Sequence, residues 1–446
     1  RVAHREPRRD GLLHSHVMSN SGRSPRPPRR RRVRRADRSR VLRRRRLLAL
    51  VALIAIIAAL GAAIWAVVGA CGGDETSGAG SPSSSARSDS ATASGNAGPT
   101  ASPSPTAWTG PPSSSLKLKL RKTIASPDIS PKSVVSTGTG YVFAQNMMYR
   151  HTMTVYDAGT LKLVETIPDE ISAGEFHIKG HGATIQGAPV EAAAMPDGRF
   201  MYVSQYSMFG AGYTEGQDVC TPGDGTDKSY VYRVPLATLA VDKVIPVGAV
   251  PKYLAVTPDQ KYLLVSNWCS YSLSVVDIHT SKPIEDVPLG PYPRGIAVSP
   301  DSKTAYVAVM GSTTIAVVDL TDFSVSWIDG VGAGPRHLCM AGDGKYLYAT
   351  LNNEGNVAKI DPREKVVVDK VYTGAQPRSM AIAPDGKSLF VVNYDSSTMS
   401  QGRTSDMKVL DSVGTNALPI GITYDAPTRS VWLCCYTGSI MVFDQV

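Results

Sequence analysis

The chain has 446 residues, a formal net charge of +9 and six cysteines. The positive charge is confined to one end: residues 1–46 contain 18 arginines and three acidic residues, whereas the other 400 residues have a net charge of −6. Because the greater part of the chain is not basic, its composition argues against nucleic acid as a partner.

Residues 1–46 are rich in arginine and poor in apolar side chains, a composition that predicts a disordered tail on the cytoplasmic side. The chain begins with Arg, and Met18 is a candidate start. Arginine runs at residues 29–32 and 43–46 precede the next segment.

Residues 47–70 form an uncharged apolar stretch of 24 residues. A membrane-spanning helix needs about 20 such residues, so we expect one transmembrane or signal helix here. The arginines before it predict a cytoplasmic N-terminus. The expected location is therefore the cell membrane, with the folded part of the chain on the extracytoplasmic side.

Cys71 follows Val68, Gly69 and Ala70, which resembles the cleavage box of a lipoprotein and makes Cys71 a lipidation candidate. The apolar stretch is long for the h-region of a signal peptide, which favours an uncleaved signal anchor instead. Both interpretations tether the chain to the membrane. Residues 71–115 consist mainly of Ser, Gly, Ala, Pro and Thr and predict a disordered linker.

From residue 251 onward the sequence repeats with a fixed period. Blocks start at intervals of 42 residues, at Pro251, Pro293, Pro335, Pro377 and Pro419. Each block contains four short apolar or β-branched runs, separated by turn signals such as Pro-Asp and Gly-Asp. About 40–45 residues with four strands is the period of a propeller blade. The pattern predicts an all-β fold.

The blocks share the consensus G-x-x-P-R-x-[ILM]-A-[VI]-x-P-D-x-K-x-x-[YF]-V-x-N. It resembles the repeat of the YVTN β-propeller family, the YncE-like proteins, over residues 116–446. The resemblance implies a membrane-tethered bacterial member of that family. It implies little about function, because the family's fold is a scaffold with many uses.

Two earlier blocks, at Pro131 and Pro189, bring the number of predicted blades to seven. The last block ends without a fourth strand. Residues 118–124 match residues 161–167, the outer strand of the first block, at five of seven positions. The sequence therefore predicts a seven-bladed propeller of four-stranded blades over residues 116–446, closed by an N-terminal strand that leaves no open edge.

Two intervals between blocks are longer than the others, at 58 and 62 residues. The first insertion (residues 169–187) joins blades 1 and 2, and the second insertion (residues 206–228) lies inside blade 2. Connections of these two kinds emerge on the same face of a propeller. Long loops in a compact repeat fold are often functional, so this face is the predicted site.

Five blocks carry a basic residue directly after the opening proline, at the entry of the innermost strand. These residues are Lys132, Lys252, Arg294, Arg336 and Arg378. Converging cations near a central channel predict an anionic ligand. In the alternative interpretation, each basic residue pairs with the backbone or an Asp of a neighbouring blade and serves only the repeat.

The side chain at the next position of each block should point into the channel. In two blocks this side chain could bind a metal or transfer a proton: Glu191 and His337. A metal site or acid–base pair is one interpretation, and a solvated channel lining is the other. His177 and His181 in the first insertion have metal-ligand spacing if this segment is helical. Gly180 and Gly182 disfavour a helix there, so a loop with no metal is the alternative.

Cys220 in the second insertion and Cys269 after the second strand of blade 3 occupy the same kind of connection in adjacent blades. In an oxidising compartment this placement predicts a disulfide that pins the second insertion. The other cysteines of the propeller, Cys339, Cys434 and Cys435, are expected to pack in strands.

Two functions fit these patterns. The favoured one is a monomeric binding or scaffold module that holds an envelope ligand or protein partner on the insertion-bearing face, with no cofactor and no nucleic acid. The alternative is a lactonase-like or streptogramin-lyase-like propeller enzyme with a divalent metal in the channel. No nucleophile elbow, HExxH or phosphate-binding loop is present in the sequence, which favours binding over catalysis.

Overall fold

The structure is a computed structural model that describes residues 110–446. The predicted tail, the apolar segment, Cys71 and most of the predicted linker lie outside the described residues. Within residues 110–446 no helix is both long and apolar enough to cross a membrane.

Seven antiparallel sheets of four strands form the blades, each with its innermost strand named first below. Blade 1 comprises β2 (Ser133–Ser136), β3 (Tyr141–Asn146), β4 (Thr152–Asp157) and β5 (Leu163–Pro168). Blade 2 comprises β8 (Pro189–Ala194), β9 (Phe200–Gln205), β10 (Lys228–Pro235) and β11 (Lys243–Ala249). Blade 3 comprises β12 (Pro251–Val256), β13 (Tyr262–Asn267), β14 (Ser272–Asp277) and β15 (Lys282–Pro288).

The next three blades repeat this arrangement. Blade 4 comprises β16 (Pro293–Val298), β17 (Thr304–Val309), β18 (Thr314–Asp319) and β19 (Val325–Ile328). Blade 5 comprises β20 (Pro335–Met340), β21 (Leu347–Leu351), β22 (Asn356–Asp361) and β23 (Val366–Tyr372). Blade 6 comprises β24 (Pro377–Ile382), β25 (Ser388–Asn393), β26 (Thr398–Arg403) and β27 (Val409–Gly414).

Blade 7 combines the two ends of the described chain, as the sequence predicts. It comprises β28 (Pro419–Asp425), β29 (Ser430–Cys435), β30 (Ser439–Gln445) and the N-terminal β1 (Leu118–Ala125). β1 pairs antiparallel with β30 from Leu118 opposite Gln445 to Ala125 opposite Ser439. The prediction of a closed seven-bladed ring is therefore confirmed, and the pairing leaves β30 with partners on both sides.

Ordered contacts with the ring begin slightly before the boundary at Leu116 that the composition predicts. Ser113–Ser115 form a short 3-10 helix. Asp385 accepts hydrogen bonds from the backbone and side chain of Ser113 at 2.8 and 2.6 Å, and Gln401 donates to the Ser113 carbonyl at 3.1 Å. These polar contacts hold residues 113–115 against blade 6. The segment has few apolar side chains, so its composition did not predict that it packs on the propeller.

The repeated polar residues build the turns of the blades. Asp301 accepts a hydrogen bond from the Lys303 backbone N–H at 3.1 Å, and Asp343 accepts one from Lys345 at 2.9 Å, as expected of aspartates that close a turn. The buried amide of Asn393 donates to Thr398 and Ser400, each at 3.1 Å. The Asn at the end of a blade's second strand is thus structural where it occurs.

The core lies between neighbouring blades. All six residues of β13 are buried, and one apolar cluster joins Leu264 and Leu273 of blade 3 to Val307 and Ala316 of blade 4. A sheet covered on both faces has no polar alternation, which explains the nearly continuous apolar runs in the sequence.

The two insertions lie against each other, as their positions in the repeat predict. The first insertion contains a hairpin of β6 (Glu170–Ser172) and β7 (Thr184–Gln186). Gln186 forms an isolated bridge with Phe209 of the second insertion. The rings of His181 and Tyr213 stack with their centroids 3.7 Å apart. The two insertions therefore form one continuous structure at this face.

Candidate functional site

The five predicted basic residues converge on one cavity. Its volume is about 340 Å³, and we call it the basic pocket. It is lined by Lys132, Asp218, Lys252, Trp268, Arg294, Met310, Arg336, Arg378, Tyr394, Ile420 and Tyr436. Ile420 stands where five of the other six blocks have a basic residue, as the sequence indicates.

A backbone irregularity accompanies four of the five basic side chains. In blades 3 to 6 the pairing of the first two strands shifts register just after the opening proline, as between Pro251 and Tyr253 and between Pro377 and Ser379. Such a shift re-aims the side chain that it contains, and proline tolerates the first position of a strand. Blades 2 and 7 have the same shift with Val190 and Ile420, whereas the pairing in blade 1, next to Lys132, is regular. The shift is therefore a property of the repeat, and the sequence decides which blades place a cation there.

The second insertion contributes a carboxylate to the basic pocket. Asp218 Oδ1 lies 2.6 Å from Lys252 Nζ and accepts a hydrogen bond from the Tyr206 hydroxyl at 3.2 Å. The Asp218 carbonyl accepts from Trp268 Nε1 at 2.9 Å. Burial lowers the pKa of Lys252 to about 8, and Asp218 acts in the opposite direction. Lys252 is therefore a satisfied cation.

A disulfide holds this part of the second insertion in place. Cys220 and Cys269 are joined, with Cα atoms 5.3 Å apart. Tyr271 donates a hydrogen bond to the Cys220 carbonyl at 3.1 Å. The bond lies two residues from Asp218 in sequence, so it anchors the carboxylate that pairs with Lys252.

Glu191 lies beneath the basic pocket. Its Oε1 is 3.9 Å from Arg294 Nη2, and both side chains are almost fully buried. Burial raises the pKa of Glu191, while the nearby cations Lys132, Arg294 and Arg336 act to lower it. Glu191 offsets part of the positive charge of the arginines.

Lys132 differs from the other cations because its ammonium has no partner among residues 110–446. The residue is 7% exposed, and among the described residues no group forms a hydrogen bond with its Nζ. Burial, together with Arg294, Arg336 and Lys252, holds the pKa of Lys132 well below its usual range. An unpaired buried ammonium is costly, so this atom is the least satisfied charge of the pocket.

The two remaining arginines partly follow the alternative interpretation, in which the repeat uses them. Arg336 Nη1 donates to the carbonyl of Arg378 in the next blade. Arg378 Nη2 donates to Gln376 at 2.7 Å, whereas its Nε has no partner among the described residues. Burial lowers the pKa of both guanidinium groups. Each arginine therefore serves the scaffold and still presents charge to the pocket.

Sequence reasoning missed four further side chains that line the pocket. Trp268, Met310, Tyr394 and Tyr436 each follow the second strand of their blade. They recur with the same 42-residue spacing as the prolines, apart from Asn352 in the intervening block. That period was the signal that could have found them. Asp218 lies in an insertion, outside the repeat, and carried no comparable signal.

A second cavity of about 270 Å³, the inner cavity, lies further along the innermost strands. Its lining includes Glu191 and His337, together with Ser133, Tyr253, Ser379 and Gly421. The Tyr253 hydroxyl is 3.5 Å from His337 Nε2. Burial lowers the pKa of His337 to about 3, so this imidazole is neutral at physiological pH.

The four predicted metal ligands divide into two places. Glu191 and His337 line the inner cavity, whereas His181 stacks on Tyr213 in the insertions. His177 lies in the loop between β6 and β7 and has a positive φ of 58°, consistent with the expectation that this segment is not helical. Over residues 110–446, no three His, Cys, Asp or Glu side chains are grouped so that they could hold a metal ion.

Comparisons with known proteins support the fold and give no information about the function. No family model matches the chain, and no curated protein matches it. The structure is similar to a chain of hydrazine synthase from Kuenenia stuttgartiensis, with a TM-score of 0.56. The alignment covers 72% of this chain and 96% of that chain at 18% identity. That similarity shows the fold alone.

Proposed function

We propose that this chain is a binding module that holds an anionic ligand in the basic pocket. The observation that carries the proposal is the buried Lys132 ammonium, which has no partner among the described residues and lies in one cavity with four further cations. Burying an unpaired charge is unfavourable, and a counter-ion removes that cost. A preorganised set of donors around an open volume is the arrangement expected of a small-ligand site.

Sulfate is a suitable first probe because its charge does not change near neutral pH. The melting temperature of the full chain is measured in sodium sulfate and in sodium chloride at equal ionic strength. We expect sulfate to raise it by a few degrees, since a ligand that binds only the folded state stabilises it by mass action. The variant Lys132→Met should lose most of this difference.

The matched control is Lys387→Met. Lys387 is exposed and lies on the turn between β24 and β25, away from the pocket lining. This variant should respond to sulfate as the wild type does. Equal responses of Lys132→Met and wild type would refute a site at Lys132, because a general salt effect acts on both.

We also propose that the chain is a YVTN-repeat, YncE-like propeller. In this proposal it is a monomer tethered to the membrane, and the basic pocket lies outside the cytoplasm. Its support is the repeat consensus and the arginines that precede residues 47–70. Alkaline extraction of membranes should leave the full chain in the membrane fraction. Loss of retention in Cys71→Ala alone would favour the lipoprotein form over the signal anchor.

A metal-dependent hydrolase or lyase stays a prediction with less support. The Glu191 carboxylate lies among Lys132, Arg294 and Arg336, whose charges act on its pKa. These cations would repel a divalent metal at the same position. The binding proposal uses the same cations as its ligand donors, and it also leaves room for a partner protein on the insertion-bearing face.

A further inference from the structure

The charge balance of the basic pocket points to the charge of its ligand. Five cations line the cavity together with the carboxylate of Asp218, and Glu191 approaches Arg294 from below. A bound anion favours the charged form of Lys132, and with every cation then protonated the two carboxylates leave three positive charges uncompensated. A singly charged anion would leave two buried cations without a counter-charge. A doubly charged anion fits the surplus better.

The donors suit an oxyanion, and among single head groups a phosphate monoester carries close to two charges, whereas a carboxylate carries one. Arg294, Arg336 and Arg378 occupy equivalent positions on three consecutive blades. A guanidinium group presents paired N–H donors that match the oxygens of phosphate or carboxylate groups. Lys132 Nζ and Arg378 Nε have no partner within the described residues. Lys252 is already bound by Asp218 at 2.6 Å, so the anion would face Lys132 and the three arginines.

The cavity is larger than a bare phosphoryl group. Such a group displaces roughly two to three waters, or about 60–90 Å³ at about 30 Å³ for each water, whereas the basic pocket measures about 340 Å³. Aromatic side chains line the rest of it. Trp268 packs on Tyr292 with ring centroids 4.6 Å apart, and the ring centroids of Tyr394 and Tyr436 are 6.4 Å apart. Flat, partly apolar walls of this kind suit a planar ring.

We infer that the basic pocket binds a phosphate monoester in which the doubly charged phosphoryl group faces Lys132 and the arginines. The planar ring of the same small molecule lies against Trp268, Tyr394 and Tyr436. This inference rests on the proposed function, and it adds to it the charge of the ligand, its head group and the nature of its body.

Phenyl phosphate, benzenesulfonate and inorganic phosphate test the two parts of the inference separately. Phenyl phosphate carries close to two charges at pH 7.5, because the second pKa of a phosphate monoester is about 6. Benzenesulfonate has the same ring and a tetrahedral head group with one charge. Titration calorimetry on the full chain at constant ionic strength should give phenyl phosphate at least a tenfold advantage over benzenesulfonate, and about a fivefold or greater advantage over inorganic phosphate.

Each result has a distinct meaning. Equal affinities for phenyl phosphate and benzenesulfonate would overturn the doubly charged head group. Equal affinities for phenyl phosphate and inorganic phosphate would overturn the ring. In both cases the proposed function would survive, because an anion still binds. Failure of all three probes and of sulfate to bind would refute the proposed function itself.

Variants assign the two parts of the ligand to particular residues. Tyr436→Ala should weaken phenyl phosphate about tenfold and leave inorganic phosphate nearly unchanged, and Tyr436→Phe should restore the affinity. Tyr394 is left in place because Arg378 Cζ lies 4.3 Å from the centroid of its ring. Arg336→Gln should weaken both probes. Arg403→Gln, which removes a surface pair with Asp406, is the control. Equal losses for both probes in Tyr436→Ala, at an unchanged melting temperature, would contradict the assignment of the ring.

Discussion

Lys132 shows how one residue can favour binding at the expense of stability. Its ammonium is buried without a partner in the part of the chain that the structure describes, and burial is the largest cause that holds its pKa well below the usual range. The unfolded lysine keeps its proton up to about pH 10.4, whereas burial in the folded chain favours the neutral amine. Lys132 therefore lowers the free energy of unfolding, by little above that pH and by more as the pH falls. A residue of this kind is retained most readily where it serves a ligand.

The first prediction is that Lys132→Met makes the ligand-free chain more stable. We expect the free energy of unfolding to rise by about 1–3 kcal/mol near pH 7, since apolar replacements of buried charges are often stabilising. Denaturant titrations of both chains at pH 7 and pH 10 measure the difference, which should shrink at the higher pH. A variant less stable than wild type at pH 7 would mean that Lys132 has a partner in solution.

Asp169 is a second buried ionisable residue, at the base of the first insertion. Its side chain is fully buried and its Oδ2 lies 3.4 Å from His151 Nδ1. Burial, aided by the nearby Glu170 carboxylate, raises the pKa of Asp169 from 3.8 to about 8, while the Gln186 side chain acts in the opposite direction. An ionised Asp169 is therefore unfavourable in the folded chain. Its backbone carbonyl accepts hydrogen bonds from Tyr232 and Gly187 at 3.1 and 3.2 Å, so the residue joins the insertion to blade 2.

The second prediction concerns stability against pH. Below about pH 4, Asp169 is protonated in both the folded and the unfolded chain. Between about pH 4 and pH 8 it is ionised only in the unfolded chain. The contribution of Asp169 to the free energy of unfolding therefore falls as the pH rises. The variant Asp169→Asn should remove this fall, on the order of 1.4 kcal/mol for each pH unit. Thermal unfolding measured from pH 4 to pH 8 tests it.

Glu170→Gln is the matched control, because Glu170 is the exposed neighbour of Asp169 on β6. It should leave most of the pH dependence in place. If Asp169→Asn unfolds with the same pH dependence as wild type, then Asp169 is ionised in the folded chain and His151 compensates its charge.

At the scale of elements, the sequence predicted the strands because each one carries its own signal. The 42-residue period, the turn aspartates and the apolar runs are local features, and they locate every blade. The register shift after the opening proline in blades 2 to 7 was not predictable, because such a shift depends on the partner strand. The convergence of the five cations on one cavity therefore became clear only from the structure.

The third prediction concerns the disulfide that anchors the second insertion. Cys220 and Cys269 are 49 residues apart, and closing a loop of that length stabilises a chain by about 4 kcal/mol in the chain-entropy model. The double variant Cys220→Ser/Cys269→Ser should therefore melt several degrees lower. Reduction of the wild type should give a similar decrease, and peptide mapping without reductant should recover the two cysteines as one linked pair.

Cys339→Ala is the control for this experiment. Cys339 is a free cysteine, and the equivalent positions of other blades hold Ala255, Ala297 and Ala381. Its replacement should change the melting temperature little and should leave the response to reductant intact. Recovery of Cys220 and Cys269 as free thiols in the oxidised wild type would contradict the prediction.

At the scale of the whole molecule, the ring brings together residues that no local pattern relates. Asp218 and Lys252 are 34 residues apart in different blades, and they meet because the second insertion crosses to blade 3. Ser113 binds Asp385 across 272 residues of sequence. The number of blades and the face that carries the insertions were predictable from the repeat period and the insertion lengths. The long-range pairs between Asp218 and Lys252 and between Ser113 and Asp385 were not, because they form only when the ring closes.

The fourth prediction is that closure by β1 determines whether the ring stays monomeric. A chain that starts at residue 126 lacks the segment from Ser113 to Ala125 and leaves β30 as an open edge along the whole register from Ser439 to Gln445. Exposed edges pair with other chains. We expect this chain to melt lower and to self-associate, as measured by light scattering, whereas a chain that starts at residue 110 should do neither.

Supplying the missing strand as a peptide separates loss of closure from general misfolding. A synthetic peptide of residues 113–125 should bind the shortened chain, restore its melting temperature and suppress self-association, because it offers the backbone partners of β30 and the Ser113 contacts to Asp385. A peptide of the same composition in scrambled order should do less, since register depends on which side chains face the core. Equal rescue by both peptides would show that any strand closes the ring, and that the match between residues 118–124 and the outer strand of blade 1 has no part in closure.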